Sequence, residues 1–243
     1  MSNREISISG VRIADDSRSF VIAEVGHNHQ GNVDTAKKMI KAAVDAGASA
    51  VKLQKRDNRS LFTSAYYDRP YNSENSFGGS YGEHREFLEF DYDQYKELQS
   101  YSSELGTIFF ATAFDFKSAD FLQNLKVPAF KIASGDLKNL PLINYLADFG
   151  KPLIISTGGG YQEDIDRVVE SLESKKDQYS ILQCTAGYPP TWNELNLGVI
   201  STLRNRFPNP VIGFSSHDNG IAMSVAAYAL GARIIEKHFT LNR

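Results

Sequence analysis

Eight short apolar runs recur along the chain and alternate with amphipathic segments that are long enough to form helices. Runs without regular polar alternation indicate strands that are buried on both faces, which is typical of parallel sheets covered by helices. The runs span residues 20–23, 50–53, 108–111, 129–133, 153–155, 179–182, 211–214 and 233–235. Eight such repeats favour a closed parallel (β/α)8 barrel, the TIM barrel, over an open sheet.

Two segments depart from this repeat. Apolar and polar residues alternate in residues 6–9 and 11–14, on either side of Gly10. This pattern predicts a short β-hairpin that plugs the lower end of the barrel. Residues 55–90 form a long insertion after the second strand, and its aromatic and charged content favours a lid or an interface over disorder. We therefore divide the chain into an N-terminal β-hairpin, residues 1–19, and a TIM-barrel catalytic domain, residues 20–243.

Charge and cysteine content limit the classes of partner. The net charge is −3, which gives no indication of a nucleic-acid or membrane partner. Cys184 is the single cysteine of the 243 residues, so no internal disulfide can form, and a reducing compartment is expected. No apolar stretch approaches the ~20 residues of a membrane helix, and the first residues do not resemble a secretory signal. The sequence therefore predicts a cytoplasmic protein.

Polar side chains stand at the carboxyl ends of the candidate strands, where the active sites of such barrels lie. Side chains alternate in direction along a strand, so Lys52 and Gln54 share a face, as do Glu236 and His238. A lysine or glutamate pointing into a barrel costs several kcal/mol unless it is paired or bound by a ligand. The two lysines, two glutamates and several histidines at these ends should therefore form one site.

Each of these residues also has a simpler interpretation. Lys52 and Lys131 could form purely structural ion pairs with Glu24 and Glu236.

The histidines, the cysteine and a glycine run also have structural alternatives. His217 or His238 taken singly is more typical of a hydrogen-bonded core histidine, whereas both at neighbouring strand ends, beside Glu236, indicate a metal site. Cys184 is most simply a small buried residue. The glycines at 158–160 are more typical of a tight turn than of phosphate binding.

Seven stretches at these strand ends resemble the sialic acid synthase family, which includes N-acetylneuraminate, legionaminate and pseudaminate synthases and related spore-coat polysaccharide proteins. They occur in the family's order and extend from the first strand to the end of the chain. The stretches are IAEVGHNHQGN, AVKLQ, FKIASGDLKNLPLI, KPLIISTG, LQCTAGYPP, GFSSHDNG and IIEKHFTLNR. The chain departs from the family pattern at Ala186, Ser216 and Asn242.

The resemblance implies an enzyme that forms a carbon–carbon bond, a transferase. It would condense phosphoenolpyruvate with the open-chain aldehyde of an N-acylated hexosamine, giving a nonulosonic acid and phosphate. It also implies a homodimer in the full-length form. We expect the family's C-terminal antifreeze-like domain and the eighth barrel helix to be missing from these 243 residues, so that phosphoenolpyruvate and metal binding persist while condensation is slow.

The resemblance also implies roles for individual residues. Glu24 and Glu236 would act in acid–base chemistry or position the sugar, Lys131 would serve both substrate binding and catalysis, and His217 and His238 would bind Mn²⁺ or Mg²⁺. The residues expected to bind substrate are Lys52, Gln54, Thr112, Lys131, Ser134, Tyr188 and Ser215.

Two other functions remain open at this point. In a class I aldolase, Lys131 would form a Schiff base with a keto substrate. In a truncated, non-catalytic barrel, the same residues would bind a sugar or a partner without turnover.

Overall fold

The computed structural model describes residues 4–175 and 178–242, so residues 1–3 of the predicted hairpin domain and Arg243 of the last matching stretch lie outside the described residues. Eight parallel strands close into a barrel in which the first strand pairs with the last. The barrel strands are β3 (Phe20–Gly26), β4 (Ala50–Lys55), β5 (Ile108–Ala113), β6 (Phe130–Ile132), β7 (Leu153–Ser156), β8 (Tyr179–Cys184), β9 (Val211–Ser216) and β10 (Ile234–His238). The predicted TIM barrel is therefore confirmed.

Ten α-helices connect or flank the strands in the described part of the chain. The first illustrates why they form: the side chain of Asn32 accepts a hydrogen bond from the backbone NH of Thr35, and an apolar stripe faces the barrel. The helices are α1 (Val33–Asp45), α2 (Asn58–Leu61), α3 (Ser64–Tyr67), α4 (Tyr81–Leu88), α5 (Tyr92–Glu104), α6 (Phe116–Asn124), α7 (Leu140–Asp148), α8 (Gln162–Ser171), α9 (Gly198–Arg206) and α10 (Ala222–Ala229). Residues 239–242, which follow β10, form no helix.

The hairpin consists of β1 (Glu5–Ile8) and β2 (Val11–Ala14), which pair antiparallel. Its isoleucines at positions 6, 8 and 13 are buried in the same apolar core as the barrel strands. The Arg4 guanidinium donates to the carbonyl oxygen of Phe207 at 2.9 Å, and Asp15 accepts from Arg204 at 2.8 Å. Both partners precede β9, so the hairpin covers the amino-terminal, lower end of the barrel as predicted.

The insertion is ordered, and it folds into α2, α3, α4 and their connections. Aromatic pairs hold it together, with ring centroids 4.7 Å apart for Tyr71 and His84 and 4.6 Å apart for Phe77 and Phe87. It packs closely on the loop between β3 and α1: a β-carbon at Gly31 would lie 2.4 Å from the carbonyl oxygen of Phe87. The expectation of order over disorder is confirmed, and a role as lid or interface stays a prediction.

None of the described helices combines the length and the apolar character needed to cross a bilayer.

Candidate active site

A cavity of about 760 Å³ opens at the carboxyl ends of the barrel strands. It collects all the residues to which a role was assigned, although they come from seven strands or their following loops. These residues are Glu24, Lys52, Gln54, Thr112, Lys131, Ser134, Tyr188, Ser215, His217, Glu236 and His238. The strand register explains part of this convergence, because neighbouring strands align the residues side by side at one height of the barrel. His27 and His29, which follow the first barrel strand, do not line the cavity. His27 faces Glu89 instead, and the other ring stacks on Phe90.

Two lysines and two glutamates form the floor of the cavity, and each is at most 6% exposed. Lys52 is in contact with the carboxylate of Glu24. One carboxylate oxygen of Glu236 lies 4.0 Å from the Nζ of Lys52 and 3.8 Å from the Nζ of Lys131. The ion pairs of the simpler interpretation therefore exist. The two carboxylates balance the charge of the two ammonium groups, which offsets part of the cost of burying them.

The buried charges of the floor influence one another. Burial lowers the pKa of Lys131, and the nearby carboxylate of Glu236 only partly opposes this effect. Burial alone would raise the pKa of Glu236, but the positive charges of Lys131 and Lys52 outweigh it and the net pKa is lowered. The Nζ of Lys131 also donates to the Oγ of Ser156 at 2.6 Å. Glu236 is consequently a carboxylate at neutral pH.

Hydroxyl groups surround the two ammonium groups. The Nζ of Lys52 donates to the Oγ1 of Thr112 at 2.8 Å, and the Oγ of Ser215 donates to Glu236 at 3.3 Å. Ammonium and hydroxyl donors in this arrangement suit a small, multiply charged anion.

The glycine run after β7 allows the backbone to pass close to the side chains of Ser134 and Cys184. The backbone NH of Gly158 donates to the Oγ of Ser134 at 2.9 Å, and a β-carbon there would lie 2.8 Å from that oxygen and 3.1 Å from the Sγ of Cys184. A residue with a side chain would therefore not fit at position 158 without displacing these neighbours. Burial raises the pKa of the Cys184 thiol, which consequently stays protonated at neutral pH and is a poor nucleophile.

The two histidines converge at the mouth of the cavity, with ring centroids 5.3 Å apart. The Nδ1 of His217 lies 3.1 Å from the carbonyl oxygen of Thr185, which favours the tautomer that leaves the Nε2 lone pair available. Burial lowers the pKa of His217 and keeps the ring neutral. Tyr188 stacks on this ring at 3.8 Å. Within residues 4–175 and 178–242, no third side chain of the types that usually bind metals joins them.

Several further side chains that line the cavity were missing from the predicted set, among them Arg56, Arg85, Phe114, Lys138 and Ser156. Arg56 could have been found, because it continues the alternation of Lys52 and Gln54. Arg85 lies in the insertion, where the alternation of side chains along a strand gives no guide to direction. Only the folded structure shows that it lines the cavity.

The chain matches the NeuB family over residues 39–243. It is 47% identical over 225 residues to N-acetylneuraminate-9-phosphate synthase of Drosophila melanogaster, covering 92% of this chain and 60% of that protein. It is 36% identical over 230 residues to N,N'-diacetyllegionaminic acid synthase of Campylobacter jejuni, covering 93% of this chain and 69% of that protein.

Solved structures give the same result. The crystal structure of N-acetylneuraminic acid synthetase from Leptospira borgpetersenii, in complex with citrate, superposes with a TM-score of 0.87 at 32% identity, covering 99% of this chain and 79% of that one. The chain spans about three fifths of the length of several curated relatives that it matches. The resemblance seen in the strand-end motifs is thus confirmed, and the chain belongs to the NeuB family.

Proposed function

We propose that this chain carries the catalytic barrel of an enzyme that condenses phosphoenolpyruvate with the open-chain aldehyde of an N-acylated hexosamine, releasing phosphate and a nonulosonic acid. The observation that carries the proposal is the floor of the cavity, where Lys52 and Lys131 are buried among hydroxyl donors and paired carboxylates. The relatives named for the synthesis of N-acetylneuraminate 9-phosphate and diacetyllegionaminic acid support this substrate class.

In this reaction Lys52, Lys131, Thr112, Ser134 and Ser215 bind the phosphate and carboxylate of phosphoenolpyruvate through charge-assisted hydrogen bonds. Gln54 and Tyr188 line the space left for the sugar.

The bond changes then follow from the substrates. The methylene carbon of the enol attacks the aldehyde carbon, the aldehyde oxygen takes up a proton, and positive charge develops on the carbon that bears the phosphate ester. Water adds to that carbon and gives up one proton, which leaves a hydroxyl group beside the phosphate ester. Phosphate then leaves with its bridging oxygen, and the hydroxyl passes its proton to the departing phosphate and becomes the 2-keto oxygen. Glu236, held ionised between two lysines, stabilises the developing cation or takes the proton from the water, and Glu24 serves the same chemistry or positions the sugar.

A divalent cation, Mn²⁺ or Mg²⁺, fits the mouth of the cavity as a site with two protein ligands. His217 presents an Nε2 lone pair, since its other nitrogen faces a carbonyl oxygen, and His238 stands beside it on the neighbouring strand. The remaining coordination positions would stay open for substrate and water. When bound, the ion would polarise the aldehyde carbonyl as a Lewis acid.

Replacing either histidine should remove this ion. We expect His217→Ala and His238→Ala each to weaken Mn²⁺ binding at least ~10-fold, because even the loss of an outer-shell partner costs that much. Calorimetric titration with Mn²⁺ alone measures the effect independently of turnover. His84→Gln is the control, since His84 is a buried imidazole in the insertion that does not line the cavity. Wild-type Mn²⁺ affinity in both alanine variants would contradict the assignment.

The function itself is tested by phosphate release. We expect the chain to release phosphate from phosphoenolpyruvate in the presence of Mn²⁺ only when an acceptor from a panel of N-acyl hexosamines is added. Mass spectrometry should detect the corresponding nonulosonic acid in equal amount. Binding of phosphoenolpyruvate without acceptor-dependent release for any sugar would instead support the non-catalytic barrel.

One observation favours the aldolase as a second candidate. Burial lowers the pKa of Lys131, and a neutral amine is what Schiff-base formation requires. Borohydride trapping separates the two candidates: a stable adduct at Lys131 with a keto substrate would support the aldolase and contradict the synthase.

A further inference from the structure

Four side chains that line the cavity form a continuous chain of polar contacts. The Nη2 of Arg56 donates to the Oε1 of Gln54 at 2.8 Å, and the Nε2 of Gln54 donates to the Oε1 of Glu24 at 2.7 Å. The other carboxylate oxygen of Glu24 is in contact with the ammonium group of Lys52. Arg56, to which the sequence assigned no role, is therefore connected to a candidate catalytic carboxylate through one side chain.

The donors and acceptors of this chain of contacts allow a single orientation of the amide. A guanidinium group only donates hydrogen bonds, and a carboxylate paired with a lysine only accepts them. The amide of Gln54 lies between one group of each kind, so its oxygen faces Arg56 and its nitrogen faces Glu24. Burial, together with the positive charge of Arg85, lowers the pKa of Arg56 to about 10, which still leaves the guanidinium charged at neutral pH.

Packing holds Arg56 in place at the upper end of the chain of contacts. Its guanidinium stacks on the ring of Phe114, 3.6 Å from the centroid. The backbone beside it is fixed as well, because the hydroxyl of the buried Tyr95 donates to the carbonyl oxygen of Gln54 at 2.8 Å. Arg56 therefore presents its Nη2 to the amide from a defined position.

The contact between Gln54 and Glu24 is also enclosed by the backbone. The register between β3 and β4 shifts between Glu24 and Gly26, and Gly26 has a φ of +56°. A β-carbon at Gly26 would lie 3.1 Å from the Oε1 of Glu24 and 3.4 Å from the Nε2 of Gln54. The backbone thus restricts the amide from that side, and the guanidinium restricts it from the other end.

We propose that Arg56 is a positioning residue, which acts through Gln54 to orient the amide toward the acceptor sugar and to hold the carboxylate of Glu24. The inference rests on the proposed function, because it assigns a role in that reaction. The two contacts use one hydrogen and one lone pair of the amide, so its other hydrogen and other lone pair point in fixed directions. A group held in its productive geometry before the substrate binds loses less entropy on binding.

A double-mutant cycle tests whether Arg56 acts through Gln54. We expect Arg56→Met to lower kcat/KM for the acceptor roughly 10-fold, which lies within the range of coupling between neighbours in one hydrogen-bond network. Methionine keeps an unbranched stem that can pack on Phe114 but donates no hydrogen bond. In the Gln54→Met background, the same substitution should change kcat/KM less than about twofold, because the group through which it acts is gone. Arg69→Met removes an exposed arginine of the insertion and is the matched control.

A direct contact between Arg56 and a substrate is the competing explanation. The Nη1 of Arg56 is buried and, among the described residues, has no hydrogen-bond partner, so it is the atom that would make such a contact. A further loss of roughly 10-fold in the Gln54→Met background would demonstrate a direct contact and overturn the proposal. Wild-type kcat/KM for the acceptor in Arg56→Met would overturn it too. The KM for phosphoenolpyruvate should stay within a few-fold of wild type, and an increase confined to this substrate would contradict the proposal.

The orientation of the amide can be measured without turnover. NMR of the isotope-labelled chain reports how fast each side-chain amide exchanges its hydrogens with water, and Gln54→Met identifies the signal of Gln54. We expect this exchange to become several-fold faster in Arg56→Met, while Gln99, whose Nε2 donates to the carbonyl oxygen of Leu125 at 3.2 Å, stays unchanged. An unchanged rate at Gln54 would contradict the proposal even if turnover were lost. Faster exchange at Gln54 in a chain that turns over no acceptor would support the positioning and contradict the proposed function alone.

Discussion

Replacing Lys131 by methionine should weaken phosphoenolpyruvate binding at least ~10-fold, since one charge-assisted contact contributes about 1.5–3 kcal/mol. The substitution also leaves the floor with one lysine and two carboxylates, so that an anionic ligand is repelled where it was attracted. Titration with phosphoenolpyruvate alone measures the loss, and Lys52→Met should behave in the same direction. Lys41→Met, on the exposed face of α1, is the control. Wild-type affinity in both floor variants would contradict the assignment.

The same lysine should give the binding reaction a pH dependence. Because burial lowers its pKa, Lys131 loses its proton in the free protein below the pH at which an ordinary lysine does. Phosphoenolpyruvate affinity should therefore decline as pH rises through that lowered pKa, and the decline should be absent in Lys131→Met. The effect on stability has the opposite sign. Burial disfavours the charged form of Lys131 in the folded chain, so this residue lowers the folding stability at low pH. That cost is relieved as the pH rises from the pKa of Lys131 in the folded chain to its pKa in the unfolded chain.

Replacing Glu236 by glutamine should separate binding from turnover. The variant keeps the shape of the side chain but removes a negative charge that lies 3.8 and 4.0 Å from two ammonium groups. The floor becomes more positive, so phosphoenolpyruvate should bind as tightly as in wild type or more tightly. The group that stabilises the cation or accepts the proton is lost, so kcat should fall roughly 100-fold or more.

Measuring both quantities on one preparation decides between the two interpretations of Glu236. If it were only a structural partner of the lysines, the variant would lose stability and affinity together, and turnover at saturating substrate would be little changed. Glu89→Gln is a suitable comparison. In that variant too a lysine, Lys55, loses its carboxylate partner, but this pair does not line the cavity.

The barrel could be predicted from the sequence because strands buried on both faces leave a simple apolar signal. The residues of the floor could be predicted because charged side chains are costly inside such a barrel, so Lys52, Lys131 and Glu236 stood out from their apolar neighbours. The ends of the strands were less exact. The second, third, sixth and seventh barrel strands each extend two residues beyond the predicted runs, and the fourth is shorter than predicted.

The sequence did not reveal every charged side chain of the cavity. Arginines are common on any surface, and Arg56 and Arg85 become candidates for the site only when the fold shows that both line one cavity. Ser156 is the last residue of β7, but its contact with Lys131 depends on the side-chain direction of a residue on the neighbouring strand. Such contacts depend on tertiary geometry, which a local pattern does not contain.

The pairing of β3 with β10 has a consequence for how the candidate active site is assembled during folding. These strands are the first and the last of the ring, and the register aligns residues 20–24 with residues 234–238 across its seam. Joining segments so distant in the chain is entropically costly, and contacts of high sequence separation form slowly during folding. Glu24 stands on one side of the seam and Glu236 on the other. An intermediate with seven strands in place would look nearly native in its secondary structure, yet it could not bring the two carboxylates together. The complete candidate site should therefore appear abruptly, as the last event of folding.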